Sequence, residues 1–286
     1  MTILKMQDIA FAYGSNQVLK GVSYSIEEPE IIALVGPNGV GKTTLLNIIA
    51  GLLIPDRGRV EICGKSNRNP QIYRDLSYMA DSSVLYPYLT GMDHLIFVSK
   101  AQELDRSRIR EAAGILGIEA FSNRRVGEYS LGMKQQLLFT MSLLNKPKLL
   151  LLDEPFNGLD PTTIIRVRQI LLRLAEEGTT IFLSSHNLSE VDQMAGKVIF
   201  ISKGELIEEN IRERQDLIYS IYVTEPDVLQ KAKLPYGKWN GDVFQLQSSQ
   251  FPLDTALQQI GRITVILDIE KHICGSEERY RELYNI

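Results

Sequence analysis

Residues 36–44 read GPNGVGKTT and lie between two apolar runs, IIALV and LLNIIAGLL. The pattern G-x-x-x-x-G-K-[ST] is met by Gly36, Gly41, Lys42 and Thr43. Glycines let the backbone curl so that successive N–H groups point at an anion, and a following helix adds its positive N-terminus. A chance match in a glycine-rich turn is the alternative, but the strand-like and helix-like flanks favour a loop that binds a nucleoside triphosphate. The candidate ATP contacts are Gly36, Pro37, Asn38, Gly39, Val40, Gly41, Lys42, Thr43 and Thr44.

A second motif supplies carboxylates. Lys42 is predicted to reach the β- and γ-phosphates and the Thr43 hydroxyl to bind Mg²⁺, which needs a further oxygen ligand. The stretch LLLLDEP (149–155) predicts a buried strand with Asp153 at its carboxyl end, where ligands bind in α/β sheets. Glu154 follows and could polarise a water for phosphoanhydride hydrolysis. The alternative, a solvated acidic pair, is disfavoured by the apolar run before it.

The wider pattern is that of an α/β protein. Short apolar strands alternate with segments of helical periodicity, which is typical of a mostly parallel sheet. Strands are predicted over 18–26, 31–35, 58–64, 149–152, 180–184 and 197–201, and helices over 42–52, 131–144 and 162–176, with helical periodicity also from 93 to 117.

Charge, cysteine content and hydropathy limit the classes of partner and compartment that suit this chain. A net charge of −4 and a pI near 5.6 give no global attraction for nucleic acid, so no nucleic-acid partner is predicted. Cys63 and Cys274 are far apart, without metal-ligand spacing, which indicates inert thiols in a reducing compartment. The first ten residues lack the apolar segment of a signal peptide, and no stretch has the apolar length that spans a bilayer. If this protein works at a membrane, we expect another chain to span it.

Three stretches resemble the motifs of one family. LLLLDEPFNGLDP (149–161) resembles the Walker B and D-loop stretch of ABC-type ATPases, the nucleotide-binding subunits of ABC transporters. EYSLGMKQQL (128–137) resembles their signature sequence, and FLSSHNLSEVDQMAGKVIFISKGELI (182–207) resembles their H-loop stretch. The order and spacing agree over roughly residues 2–210. The resemblance implies a P-loop NTPase core of the ABC type with an antiparallel β subdomain and an α-helical subdomain.

Two domains are therefore predicted, an ABC-type nucleotide-binding domain at 1–210, with its helical subdomain at about 84–145, and a small α+β domain at 217–286. IRERQD (211–216) is interpreted as the linker. The patterns that follow predict strand, helix, strand, strand, helix and strand, with a hairpin turn at Asn240–Gly241 and a final short helix. That succession is ferredoxin-like.

The resemblance also implies roles for single residues. Ser130 and Gly132 would contact the γ-phosphate held by another ATPase subunit, so that two ATP molecules lie between two subunits. The second subunit would be a copy of this chain or a homologue. His186 would contact the γ-phosphate and steady the attacking water with Glu154, and Asp160 would couple the two sites.

Two further positions carry weaker patterns. Tyr13, in FAYG, resembles the aromatic residue that stacks on adenine, with a structural tyrosine as the alternative. The family's usual glutamine is absent from LSYMADSS (76–83), where Asp81 takes its place as a further candidate ligand for Mg²⁺. The signature also departs from the common SGGQ, because this chain has SLGM.

We therefore expect an ATP-binding and ATP-hydrolysing subunit of an ABC transporter, with Lys42, Glu154 and His186 as catalytic residues. A separate transmembrane permease subunit, gripped by the segment at 84–128, would move the substrate. The C-terminal domain resembles the extension of bacterial export-type subunits, and that resemblance implies export. The chain would be cytoplasmic and peripheral on the inner face of the cell membrane. Two alternatives remain, a soluble ABC-type ATPase acting on nucleic acid or the ribosome, and an inactive module that binds ATP without turnover.

Overall fold

The computed structural model describes residues 2–210, 217–248, 251–273 and 276–284. It divides into two compact units, Met1–Asn210 and Ile211–Ile286. The predicted linker and Cys274 lie outside the described residues. Within the described ranges, no helix combines the length and apolar character that crossing a membrane requires.

The strands of the first unit build two sheets. In chain order they are β1 (Leu4–Tyr13), β2 (Asn16–Ile26), β3 (Ile31–Val35), β4 (Arg57–Ile62), β5 (Lys65–Ser66), β6 (Leu76–Met79), β7 (Leu149–Asp153), β8 (Thr180–Ser185), β9 (Lys197–Ser202) and β10 (Glu205–Asn210). The helices are α1 (Lys42–Ile49), α2 (Gly91–Ala101), α3 (Ser107–Leu116), α4 (Leu131–Ser142), α5 (Pro161–Glu176) and α6 (Leu188–Met194).

The larger sheet has the order β10-β9-β3-β8-β7-β6 and is parallel except for β10. Its strands β3, β7 and β8 are buried throughout, which explains their continuous apolar sequences. Val35 pairs with Ser185 and Asp153 pairs with Ser184, so the three strands end at the same edge. This register brings together three loops that are far apart in the sequence.

The smaller sheet, β2-β1-β4-β5, is antiparallel. Helix α1 contributes Leu45 and Ile49 to a core that also contains Leu4 from the smaller sheet and Leu151 from the larger one. The helix ends at Ile49, three residues before the predicted end at Leu52. Gly51 has a left-handed backbone, with φ of 76°, and stops the helix there.

The predicted helical subdomain consists of α2, α3 and α4. The periodicity over 93–117 is split into two helices, and α2 begins earlier than predicted because Thr90 and Asp93 form a capping box. Helix α4 begins at Leu131, where the Ser130 hydroxyl accepts a hydrogen bond from the N–H of Met133 at 3.2 Å. Ser130 is therefore the N-cap of α4.

The described residues of the second unit form an antiparallel sheet with helices. Its elements are β11 (Leu217–Val223), α7 (Pro226–Lys231), β12 (Lys238–Asn240), β13 (Val243–Gln247), α8 (Leu253–Gly261), β14 (Ile266–Ile273) and α9 (Ser276–Tyr284). The sheet order is β12-β13-β11-β14, and Leu229 of α7 and Ile260 of α8 pack with Ile221 and Phe244 of the sheet. Order and succession match the predicted ferredoxin-like arrangement.

Candidate ATP site

The phosphate loop connects β3 to α1 at the carboxyl edge of the large sheet. Gly41 has a φ of 115°, and a Cβ atom there would lie 2.5 Å from Cγ1 of Val18, so only glycine fits. No side chain caps the N-terminus of α1, and its first turn contains no acidic residue. The helix therefore presents free N–H donors and its positive end to an anion.

Lys42 lies buried between the loop and Glu154. Its Nζ donates a hydrogen bond to the Gly36 carbonyl oxygen at 2.7 Å and lies 3.5 Å from Oε1 of Glu154. A buried ammonium group requires a negative partner, because desolvation is otherwise costly. Glu154 is that partner here, and a phosphate group is the chemical class of ligand that can take its place.

Thr43 and Asp153, which are 110 residues apart in sequence, meet beside the loop. The Thr43 hydroxyl donates to Oδ2 of Asp153 at 2.7 Å, and the hydroxyl of Ser184 donates to Oδ1 at 2.6 Å. Both oxygens of this buried carboxylate are therefore oriented. A hydroxyl and a carboxylate are hard oxygen donors, so the residues present fit Mg²⁺.

Glu154 has an unusual backbone. Its φ is 50°, in the left-handed region, which costs about 1–3 kcal/mol for a residue other than glycine. Its N–H donates to the hydroxyl of Ser184 at 2.9 Å, and its carbonyl oxygen accepts from Nε2 of Gln135 at 2.9 Å. Strain of this kind persists when the surroundings fix it, and here two side chains hold the same residue from opposite ends.

His186 follows β8 and meets the same carboxylate. Its Nδ1 lies 2.8 Å from Oε2 of Glu154, and its N–H donates to that oxygen at 3.3 Å. The imidazole is more than half exposed, with 58% of its side-chain surface accessible. The structure therefore brings Lys42, Thr43, Asp153, Glu154 and His186 into one contact network.

The other predicted residues lie on neighbouring elements. At Gly132 an added Cβ atom would lie 2.8 Å from the carbonyl oxygen of Gly158, so the start of α4 approaches the loop after β7. Asp160 caps α5 by accepting the N–H groups of Thr162 and Thr163, and its bonds to Thr163 hold the pKa of the Asp160 carboxyl below its usual range. Nothing in these contacts joins Ser130, Gly132 or Asp160 to Lys42 within the described chain.

Tyr13 and Asp81 lie at or just beyond the ends of two other strands. Tyr13 is exposed at the end of β1 and packs edge-on against Phe11, with ring centroids 4.9 Å apart. Asp81 follows β6, and its carboxylate accepts the N–H of Ser83 at 2.6 Å. This bonding to Ser83 lowers the pKa of Asp81. Burial, with the charges of Asp153 and Asp81 nearby, raises the pKa of the Tyr78 phenol.

Sequence reasoning missed Ser184 and Gln135. Ser184 had one signal, a hydroxyl near the end of a strand that must be buried, because a buried hydroxyl requires a hydrogen-bond partner. Gln135 had none, because a glutamine in a helix is usually solvated. Both were found only when tertiary contacts placed them beside Glu154.

Comparison with known proteins agrees with this geometry. The family model described as "ABC transporter" matches residues 19–157. The lantibiotic transport ATP-binding protein SrtF of Streptococcus pyogenes is 37% identical over 207 residues, covering 72% of this chain and 90% of SrtF. The bacitracin transport ATP-binding protein BcrA of Bacillus licheniformis is 36% identical over 212 residues, covering 73% of this chain and 69% of BcrA.

A solved structure extends the likeness to three dimensions. The bacterial ABC transporter cassette MJ0796, solved as a dimer, superposes with a TM-score of 0.67 at 28% identity, covering 72% of this chain and 98% of MJ0796. The same cassette has been solved in a post-hydrolysis state with ADP and Pi. The chain belongs to the ABC transporter ATP-binding proteins and is an ATPase of that family. The predicted family, fold and enzyme class are thus confirmed, and the module that binds ATP without turnover is disfavoured.

Proposed function

We propose that this chain powers export through a separate transmembrane subunit by hydrolysing ATP at the network around Glu154. The observation that carries the proposal is the direct contact of Glu154 with both Lys42 and His186, at the end of the strand that carries Asp153. In this assignment the loop amides and Lys42 bind the phosphates. Glu154 accepts a proton from the attacking water, and His186 orients that water and the γ-phosphate.

Mg²⁺ would be held by Thr43 and Asp153, and it would neutralise charge on the phosphates when bound. Ser184 supports this role because it fixes one carboxylate oxygen of Asp153 and leaves the other directed at Thr43. Asp81 is proposed as a further ligand acting through water. Its bond to Ser83 keeps it ionised, which suits that role.

A second ATPase subunit completes the site in this proposal. Ser130 and Gly132 at the start of α4 would contact the γ-phosphate of the partner's ATP, and Asp160 would link the two sites. The dimeric state of MJ0796 supports the arrangement. The partner is a second copy or a homologous subunit, and Tyr13 would stack on the adenine of its own chain's ATP.

The transmembrane subunit would dock at a groove beside β6. A cavity of about 290 Å³ there is lined by residues that include Leu52, Val84, Val98 and Met141. The neighbouring segment exposes three aromatic side chains, those of Tyr86, Tyr88 and Phe97. Apolar side chains are rarely so concentrated on a surface that faces only solvent. Ala80 also lines this groove, and Asp81 is the next residue in the sequence. A partner docked in the groove would therefore lie beside the segment that carries Asp81.

The names of SrtF and BcrA place those proteins in lantibiotic and bacitracin transport, which supports export for this chain. The chain would work at the cytoplasmic face of the membrane, attached through its partner. The transport proteins among the relatives also weigh against a soluble ATPase acting on nucleic acid.

Affinity purification from detergent-solubilised membranes of the native source tests this proposal. We expect a stoichiometric, multi-spanning hydrophobic protein to co-purify with the tagged chain and with the control variant Ile165→Asp, which changes an exposed residue of α5. The groove variant Val84→Asp, which changes an exposed lining residue, should lose that protein. Recovery with ribosomes, with nucleic acid or with nothing would contradict the transporter proposal. Equal recovery by both variants would contradict the groove.

A further inference from the structure

Glu154 is held at its backbone as well as at its carboxylate. Its N–H is bound by Ser184 of β8, and its carbonyl oxygen is bound by the amide of Gln135 of α4. Gln135 is buried, and its amide nitrogen donates the 2.9 Å hydrogen bond to the carbonyl oxygen of Glu154. A buried amide in that position is costly without a partner, so the contact is specific.

Helix α4 touches the same loop at a second point. At Gly132 there is no room for a Cβ atom, because the carbonyl oxygen of Gly158 would lie 2.8 Å away. Leu131 covers Gly158, because a Cβ atom added at Gly158 would lie 2.5 Å from Cδ2 of Leu131. The first turns of α4 are therefore joined to the start of the loop through Gln135 and to its middle through Gly132.

We propose that Gln135 is a positioning residue that holds the left-handed backbone of Glu154 and transmits movement of α4 to the general base. The proposal rests on the function proposed above, in which the start of α4 binds the partner's ATP. A phosphate drawn to Ser130 would shift α4 along its axis. Since Gln135 lies on the second turn of that helix, its bond to the Glu154 carbonyl would move the carboxylate with it.

The geometry explains why an amide is used. Lys42 and His186 contact only the carboxylate, so neither holds the peptide unit that follows Glu154. The carbonyl oxygen of that unit accepts the N–H of Asn157 at 3.2 Å, a bond within its own loop, and Gln135 supplies the bond that ties it to α4. The neutral donor of Gln135 engages it without competing for the negative charge that proton transfer requires.

Gln135→Met tests the proposal, because methionine keeps the unbranched chain and the volume but lacks the donor. We expect kcat for ATP to fall by about tenfold to a hundredfold, as displacement of a reacting group produces. The dissociation constant for ATP, measured by equilibrium binding, should stay within about threefold. Gln136→Met is the control, since it makes the same change at the next residue of α4, and its kcat should match the wild type.

Two further results separate positioning from a general loss of structure. If Gln135 acts through Glu154, adding Gln135→Met to Glu154→Gln should lower the residual turnover by less than twofold. Gln135→Glu, which places a carboxylate against the Glu154 carbonyl, should lower kcat at least as much as Gln135→Met. Equal kcat for Gln135→Met and Gln136→Met, or an additive loss in the double variant, would overturn the proposal. Unchanged turnover in Glu154→Gln alone would instead overturn the proposed function.

Discussion

Replacing Ser184 by alanine should weaken the first unit and slow the enzyme. Ser184 has no accessible surface, and its hydroxyl joins the carboxylate of Asp153 to the N–H of Glu154. A hydrogen bond to a charged group contributes about 1.5–3 kcal/mol and a neutral one about 0.5–1.5 kcal/mol. Ser184→Ala should therefore lower the free energy of unfolding by about 2–4 kcal/mol, or the Tm by roughly 4–16 °C for a unit of this size.

The assay can separate the two units of the chain. Trp239, the sole tryptophan, lies in the second unit, so its fluorescence follows that unit, whereas far-UV circular dichroism is dominated by the first. Only the dichroism transition should move in Ser184→Ala. Ser185→Ala is the matched control, because Ser185 is also buried but its hydroxyl bonds only neutral groups, accepting from the N–H of Asn187 at 3.0 Å and donating to the carbonyl oxygen of Asn187 at 3.5 Å. Equal shifts in the two variants would refute the reasoning.

Further predictions concern the nucleotide and pH. Tyr13→Ala should weaken ATP binding by about 1–2 kcal/mol, the worth of one stacked base, and Tyr13→Phe should not; equal affinities in a calorimetric titration would contradict the stacking role. The Asp160 carboxylate has a lowered pKa, so the stability that its charge adds is present above pH 4 and is lost as pH falls further. The Tm difference between wild type and Asp160→Asn should therefore be constant above about pH 5 and shrink below it; a difference that instead changes between pH 6 and 8 would contradict this assignment. Chelation of Mg²⁺ should abolish turnover in the wild type, and Asp153→Asn should raise the Mg²⁺ concentration needed to restore it.

The contact of Thr43 with Asp153 was predictable from sequence because two rules combine. Asp153 ends the buried parallel strand β7, Thr43 lies beyond the loop that follows β3, and the carboxyl ends of parallel strands meet at one edge of the sheet. The same rule applies to His186, which directly follows β8. Local motif and sheet direction were sufficient because neither depends on the details of packing.

Other features depend on register or on tertiary contact and could not be predicted. Ser184 reaches Asp153 because β7 and β8 pair those two residues, and the sequence does not specify a register between buried apolar strands. The groove joins Leu52 to Val84 and Met141, which lie in separate segments. The end of α1 was placed too late because apolar residues continue past Gly51 and mask its effect as a helix stop.

Steady-state ATP turnover by the purified chain and its Glu154→Gln variant tests the central claim most directly. Loss of a general base costs about 10²–10⁴ in rate, so turnover should fall at least a hundredfold while ATP still binds. Glu177→Gln, an exposed change at the end of α5, is the control and should match the wild type. If Glu154→Gln and Glu177→Gln hydrolyse ATP at the same rate, Glu154 is not the base, and the account of the site is wrong.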